Sequence, residues 1–338
     1  SIIVDKKHDP HSEYLYTLKI TRKDIKLVEK IREKKHVSVM NFETGTLCLD
    51  EHVQEESFKT AFFSAISWDD PELVFNNIDI LQSRVSEFWK SSYQGMYMPL
   101  TMHAYHIQYL IFENWAGGYH LTSWALHVLN ALLVYNIVKQ IAVLQHFRGF
   151  LFFVFTLHPL QFENALWIGE LKTVLATSFI LLGILQLLTF YKQPQIIRML
   201  FILFLILCSL LCKPIALTLP LFLLIVLPFD ILKNKKYLLL ICMLVLLSIA
   251  SSYITYRLQL FDHFINISHS VLWWQSIGLS GWALLQYCIH FSWPFSLSVL
   301  YPYPKLTTTL VITCICCWLF ILSLMVFFKQ KQKPVVFY

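Results

Sequence analysis

Long uncharged apolar runs are the feature that most constrains how this chain of 338 residues can fold. Four runs contain no Asp, Glu, Lys or Arg, and they cover residues 120–138, 173–191, 237–256 and 306–328. An ionised side chain at the centre of a bilayer costs about 2.5 to 3.5 kcal/mol on insertion scales. Roughly 20 apolar residues are enough for one spanning helix. The chain is therefore predicted to be an all-α polytopic membrane protein.

Several shorter apolar runs raise the expected number of spans. Residues 147–159, 199–212 and 214–229 are too short to cross a bilayer unless they tilt or recruit interfacial residues. Residues 271–304 are rich in Trp and Pro, which predicts one span combined with an interfacial segment. The expected total is about seven to eight transmembrane helices.

Charge divides the chain into two parts. Residues 1–67 hold 22 of the 48 charged side chains, and residues 68–338 hold the remaining 26. The first part is predicted to be a small soluble α+β segment, with a helix at 21–35 and strands at 14–20 and 36–42. The second part is predicted to be the transmembrane domain. A composition of 57% apolar and 14% charged residues excludes a single water-soluble globule and a disordered chain.

The distribution of charge between the loops predicts which side of the membrane each loop faces. Basic loops at 139–148, 192–198, 233–236 and 329–333 are expected in the cytoplasm, since Lys and Arg favour that side. This excess of basic residues indicates membrane topology rather than nucleic-acid binding. The loops 68–119 and 158–172 then lie on the outer or luminal face and carry most of the acidic residues of this part. A functional site is predicted on that face.

Asp69 and Asp70 form the first candidate site motif. Two adjacent carboxylates at a membrane surface suit general-base chemistry, because each raises the pKa of the other. The alternative is a structural role, since Asp-Asp followed by Pro71 also starts turns and helices.

A second motif follows His158 and contains Glu163, Trp167, Glu170 and Lys172. Glu163, Trp167 and Glu170 are spaced i, i+4, i+7, which predicts one face of an interfacial helix that offers two carboxylates and an aromatic ring to a polar ligand. The alternative is an interfacial helix that Trp167 merely anchors.

Lys172 and Lys213 are the two cations expected at the outer ends of spans. A cation held at the interface suits an anionic lipid headgroup such as a phosphate. The alternative is simple snorkelling of a long side chain toward water. The spacing of His, Cys and acidic residues predicts no metal site and no disulfide framework.

These residues belong to an ordered set of short motifs. The set comprises Trp68-Asp69-Asp70-Pro71, Pro99-Leu100-Thr101, Gly118-Tyr119-His120-Leu121-Thr122, Leu157-His158-Pro159-Leu160, Cys212-Lys213-Pro214 and Tyr301-Pro302-Tyr303-Pro304. In order and spacing it resembles the GT-C glycosyltransferases of the protein O-mannosyltransferase type. The nearest likeness is to bacterial membrane proteins with tetratricopeptide tails and to eukaryotic transmembrane mannosyltransferases. The resemblance covers about residues 66–310.

The resemblance implies a fold and a reaction. A GT-C enzyme of this type transfers a sugar from a polyprenyl-phosphate donor to a hydroxyl of a protein or glycan, with inversion, on the outer face. An acidic residue of the first outer loop acts as base, which corresponds to Asp69 or Asp70 here. Lys172 and Lys213 would face the lipid phosphate. Glu163, Glu170, Trp167 and His158 would bind the sugar or the acceptor.

The expected partners follow from this reaction. They are membrane lipid, the lipid-phosphate sugar, a protein acceptor and other membrane subunits, with no nucleic acid and no cofactor besides the donor. The expected location is a bacterial inner membrane or the endoplasmic reticulum. The rival hypothesis is an inactive GT-C-like scaffold or docking subunit. Met98 stands where the family has a basic residue, and no span precedes Asp69, which favours that rival.

Overall fold

The computed structural model describes residues 3–9, 12–19, 69–141, 144–226, 234–261 and 273–295, and isolated positions between 297 and 323. The chain divides into two units, Ser1–Thr60 and Ala61–Tyr338. The predicted helix at 21–35 and the predicted strand at 36–42 lie outside the described residues. The predicted span at 306–328 is described only at isolated positions.

The described residues of the first unit form one antiparallel hairpin. Strand β1 covers Ile3–Asp9 and strand β2 covers Ser12–Lys19, and Ile3 pairs with Lys19 at the open end. Strand β2 overlaps the alternating run at 14–20. The register shifts by one residue between Lys7 and Asp9.

The second unit is helical throughout its described regular elements. The α-helices are α1 (Ile78–Leu81), α2 (Pro99–Phe112), α3 (Ala116–Lys139), α4 (Arg148–Leu157), α5 (Phe162–Leu166), α6 (Leu171–Lys192), α7 (Ile196–Cys212), α8 (Leu219–Val226), α9 (Lys235–Phe261) and α10 (Trp273–Ser292). Short 3₁₀ turns connect several of them, among them Pro159–Gln161, Ile168–Glu170 and Pro214–Thr218. A turn of π-helix covers Pro71–Phe75.

Three helical segments of the described chain are long and apolar enough to cross a membrane, by length and composition. They are Ala116–Lys139, Ile168–Lys192 and Lys235–Phe261. Each contains one of the predicted runs, at 120–138, 173–191 and 237–256. The shorter apolar helices Ile196–Cys212 and Pro214–Leu224 correspond to the shorter runs. The prediction of a mainly helical chain is confirmed, and three of its helices have the length and composition of membrane spans.

Helices α6, α7 and α9 form one apolar core. Leu240 and Leu244 of α9 pack with Ile202 and Ile206 of α7, and all four side chains are almost fully buried. Gly183 lets α6 approach α7 closely, because a Cβ at this position would lie 3.0 Å from the Ile206 Cδ1 atom. Small residues at such crossings are typical of helices that pack within a bilayer.

A second core fixes the segment that precedes α3. Phe88, Met102, Tyr105 and Tyr119 are fully buried in it. One face of helix α2 therefore packs against the rest of the unit. Its buried face meets the ends of α6 and α7, and this contact builds the candidate site.

Candidate functional site

Asp70 is fully buried and holds the chain just before α6. Its Oδ1 atom accepts a hydrogen bond of 2.8 Å from the Gly169 backbone N–H. Gly169 favours this close approach, since a Cβ there would lie 3.3 Å from Asp70 Oδ1 and 3.1 Å from Trp167 Nε1. The contact joins residues 99 positions apart in the sequence. It brings the first predicted motif onto the second.

Glu170 lies between the two lysines that the sequence singled out. Its Oε1 atom is 3.3 Å from Lys172 Nζ, and its Oε2 atom is 3.1 Å from Lys213 Nζ. Thr173 Oγ1 donates to Glu170 Oε2, and it accepts a hydrogen bond of 2.6 Å from Lys213 Nζ. The Lys172 side chain is only 4% exposed and that of Lys213 is 27% exposed. A single buried carboxylate is therefore shared between one inaccessible and one accessible ammonium group.

The helix ends explain why these charges are tolerated at this position. Glu170 caps the N terminus of α6, and Lys213 caps the C terminus of α7. The helix dipole favours an anion at the first position and a cation at the second. Thr101 connects α2 to the end of α7, because its Oγ1 donates a 3.0 Å hydrogen bond to the Cys212 carbonyl. The ends of α6 and α7 are thus locked side by side.

Tyr105 connects the aspartate pair to Glu170. Its hydroxyl is fully buried and donates a 2.9 Å hydrogen bond to the Ile168 carbonyl. Burial raises the pKa of this phenol well above its usual value, and the charges of Asp70, Glu170 and Asp69 raise it further. The buried hydroxyl of Tyr105 therefore lies within the electrostatic field of these carboxylates.

The segment from Glu163 to Glu170 is not the continuous helix that its spacing predicted. Helix α5 ends at Leu166, and Trp167 has an extended backbone with ψ of 123° before the 3₁₀ turn Ile168–Glu170. The prediction of one helix face is wrong, because the break at Trp167 turns the Gly169 N–H toward Asp70 instead of into a helical hydrogen bond. The side chains still converge. Lys172 Nζ lies 5.9 Å from the centre of the Trp167 ring, within range of a cation–π contact.

Glu163 lies at the exposed edge of the charged cluster. Partial burial raises the pKa of its carboxyl, and the negative charge of Glu170 raises it further, while Lys213 and Lys172 act in the opposite direction. Asp69 is half-buried, in contrast to the fully buried Asp70. Asp69 and Glu163 are therefore the carboxylates of the cluster that a ligand can reach.

His158 lies apart from these charged groups. Its Nδ1 atom accepts from the Leu160 N–H at 3.2 Å, so Nε2 carries the proton and donates to the Phe291 carbonyl at 2.9 Å. The imidazole also stacks on the Phe291 ring, with 4.9 Å between the ring centres. The structure places His158 at the junction with α10, where it joins two helices.

Three residues of the cluster were not predicted from the sequence. Thr101, Tyr105 and Thr173 make its hydrogen bonds, yet each has an ordinary side chain within a helix. Thr101 did appear in the Pro99-Leu100-Thr101 motif without a role. Tyr105 could have been found as a tyrosine among apolar residues. A buried tyrosine hydroxyl needs a hydrogen-bond partner, so its position indicates a polar contact inside the fold.

The cluster combines the parts that a group transfer between oxygen atoms requires. An accessible carboxylate can accept a proton, and an accessible ammonium group can stabilise an anionic leaving group. Within the described residues, no group of three or more His, Cys, Asp or Glu side chains is arranged to hold a metal ion. The chemistry available from these side chains is proton transfer and charge stabilisation.

No protein-family model, no curated protein and no solved structure matches this chain.

Proposed function

We propose that this chain is a membrane glycosyltransferase of the GT-C type, with about seven to eight spans and its site on the outer or luminal face. It moves a sugar from a polyprenyl-phosphate donor to a hydroxyl of a protein or glycan, with inversion. The observation that carries the proposal is that Asp70 binds the Gly169 N–H next to the Glu170–Lys213 ion pair at one end of a candidate span, with Asp69 adjacent to Asp70 in the chain. The resemblance in motif order supports the same conclusion.

In the proposed reaction Asp69 is the general base. Its half-buried carboxylate accepts the proton of the acceptor hydroxyl while the oxygen attacks the anomeric carbon of the sugar. The bond from that carbon to the phosphate oxygen breaks, and the phosphate leaves with the electron pair. Asp70 is a positioning residue, because its Oδ1 is engaged with the Gly169 N–H. The proton passes to water after the product leaves, so no resident cofactor is required.

Lys213 stabilises the lipid phosphate as it leaves. It is the more exposed of the two lysines, and it retains a donor for a phosphate oxygen besides its contacts with Glu170 and Thr173. Lys172 is too deeply buried to meet a ligand directly, and its role is to hold Glu170. Glu163 and Trp167 border the cluster and would contact the sugar or the acceptor.

The experiment is a donor-cleavage assay on the purified full chain. Polyprenyl-phosphate mannose and polyprenyl-phosphate glucose serve as donors, and the release of polyprenyl phosphate is measured with a membrane extract as acceptor. Asp69→Asn is expected to lower the rate by at least about 100-fold, the usual contribution of a general base. Glu72→Gln is the matched control, because Glu72 is an exposed carboxylate three residues further on. Full activity of Asp69→Asn would contradict the proposal.

The second candidate is an inactive scaffold, and the burial of Lys172 favours it. A cluster in which Glu170 contacts both lysines resembles a structural ion network that needs no ligand. This candidate predicts that the wild-type chain releases no polyprenyl phosphate from either donor. It also predicts that Asp69→Asn alters neither stability nor the recovery of partner subunits.

A further inference from the structure

The end of α6 opposite Glu170 carries a second charged surface. We call it the basic corner, and it consists of Lys192, Arg198, Lys235 and Lys236. Lys192 ends α6, Arg198 lies in the first turn of α7, and the two other lysines begin α9. The three lysines are exposed and the arginine is half-buried. The described residues 189–200 and 234–240 contain no acidic side chain.

Hydrogen bonds hold the basic corner together. The Tyr237 hydroxyl joins α9 to the end of α6, where it lies 3.3 Å from the Phe190 carbonyl and 3.0 Å from the Tyr191 carbonyl. Lys236 Nζ donates a 2.7 Å hydrogen bond to the Pro194 carbonyl in the turn between α6 and α7. Each ammonium group has three donors, so Lys236 keeps two for a ligand. These bonds tie the start of α9 to the end of α6 and to the turn before α7, so the four cations lie on joined helix ends.

The N termini of two helices strengthen the positive potential at this junction. Helices α7 and α9 both begin here, and the N-terminal end of a helix attracts anions. The junction thus combines four cations with two helix N termini, and it suits a phosphate group.

The depth of the basic corner matches a headgroup layer. Helix α6 has 22 residues from Leu171 to Lys192, which corresponds to about 33 Å at 1.5 Å per residue. A bilayer has a hydrocarbon core about 30 Å thick. When the Glu170 cluster lies at one face of the bilayer, Lys192 therefore lies at the headgroups of the other face.

We propose that the basic corner binds the phosphate headgroup of an anionic phospholipid. This site is separate from the donor site, and it does not depend on the proposed function. A juxtamembrane lysine contributes about 1 kcal/mol of attraction to an anionic leaflet, which is roughly a fivefold change in binding per residue.

The test measures the lipid preference of the full chain reconstituted in phosphatidylcholine bilayers. Trace spin-labelled phosphatidylglycerol is compared with spin-labelled phosphatidylcholine, and the fraction of motionally restricted lipid is read for each. A preference for phosphatidylglycerol of at least about fivefold is expected, falling as salt is added. Replacement of Lys192, Lys235 and Lys236 by Gln is expected to abolish it. Equal binding of both lipids by the wild type would overturn the proposal.

Two control variants separate lipid binding from loss of the fold. Replacement of the same three lysines by Arg keeps the charge and is expected to retain the preference. Replacement of Arg84, Lys90 and Arg257 by Gln removes three exposed charges elsewhere and is also expected to retain it. Loss of the preference in this remote variant would show a general charge effect and would contradict a site at the basic corner.

Inorganic phosphate distinguishes a lipid headgroup from a free anion. At about 10 mM and constant ionic strength, it is expected to leave the lipid preference unchanged, because the acyl chains hold the headgroup in place. Displacement of the labelled lipid by phosphate at that concentration would show a free-anion site and overturn the proposal.

Discussion

Replacement of Glu170 by Gln removes the charge on which the candidate site depends. The carboxylate lies 3.3 Å from Lys172 Nζ and 3.1 Å from Lys213 Nζ, and only 11% of its side chain is exposed. The amide is almost isosteric, and it can still accept from Thr173. The substitution therefore tests charge rather than shape, and it leaves Lys172 as a buried cation without its counter-ion.

The expected loss of stability follows from these distances. At an effective dielectric constant of about 20, each ion pair corresponds to roughly 5 kcal/mol of Coulomb attraction. Desolvation of the three charged groups offsets much of this attraction. Breaking a buried pair by removing one partner typically costs about 3 to 5 kcal/mol. That loss corresponds to a fall in Tm of roughly 6 to 15 °C for a chain of this size.

The assay is thermal unfolding of the purified full chain in detergent. Glu113→Gln is the matched control, because Glu113 is exposed, and it is expected to change the unfolding free energy by less than about 0.5 kcal/mol. A second variant adds Lys172→Met to Glu170→Gln. It is expected to recover at least about 1 kcal/mol, since the orphaned charge is gone.

Unfolding of Glu170→Gln at the wild-type temperature would contradict a stabilising role for the carboxylate. The same conclusion follows if Lys172→Met lowers the unfolding free energy of the Glu170→Gln variant as much as it lowers that of the wild type. Either result would mean that the carboxylate and the lysine do not interact in the folded chain.

Three further substitutions test the surroundings of Glu170. Ionisation of Glu163 opposes folding, because burial raises its folded-state pKa and stability falls as pH rises through that value. Glu163→Gln should therefore raise Tm at about pH 7.5 and give no gain at about pH 4, as a series of melts would show. Gly169→Ala, which would put a Cβ 3.3 Å from Asp70 Oδ1, should lower the unfolding free energy by about 1 to 3 kcal/mol in denaturant titration. Tyr105→Phe leaves the Ile168 carbonyl without its donor, and calorimetry should detect a loss of about 1 to 3 kcal/mol.

The long helices could be predicted closely from the sequence, because charge marks where a span ends. The run at 173–191 lies between Lys172 and Lys192, and helix α6 covers Leu171–Lys192. The run at 237–256 begins after Lys236, and α9 covers Lys235–Phe261. An uncharged run and its flanking lysines are local features, so one sequence is enough to read them.

Helix α2 was not predicted from the sequence, since its burial depends on distant partners. Residues 68–119 read as an outer loop, yet Pro99–Phe112 is a helix whose buried face meets Ile168 and Cys212. The side chain of Thr101 reaches a carbonyl 111 positions further along the chain. Nothing in the local pattern at Thr101 specifies that partner.

The candidate site was predicted in part. Asp70, Glu170, Lys172 and Lys213 were each selected as charged residues next to long apolar runs, and the structure brings them together. The break at Trp167 was missed, because the i, i+4, i+7 spacing is the same whether or not the helix continues. The extended backbone at Trp167 accompanies the long-range hydrogen bond from Gly169 to Asp70, which local helix propensity does not indicate.

The proposed function requires Lys213 to bind the phosphate of a polyprenyl-phosphate lipid near Asp69. An electron cryomicroscopy structure of the full chain with polyprenyl phosphate in a lipid nanodisc measures this directly. The expected result is a phosphate oxygen within about 3 Å of Lys213 Nζ, with the lipid tail entering the bilayer beside α7. A phosphate bound elsewhere, with Lys213 Nζ in contact with Glu170 and Thr173 only, would contradict the proposed function.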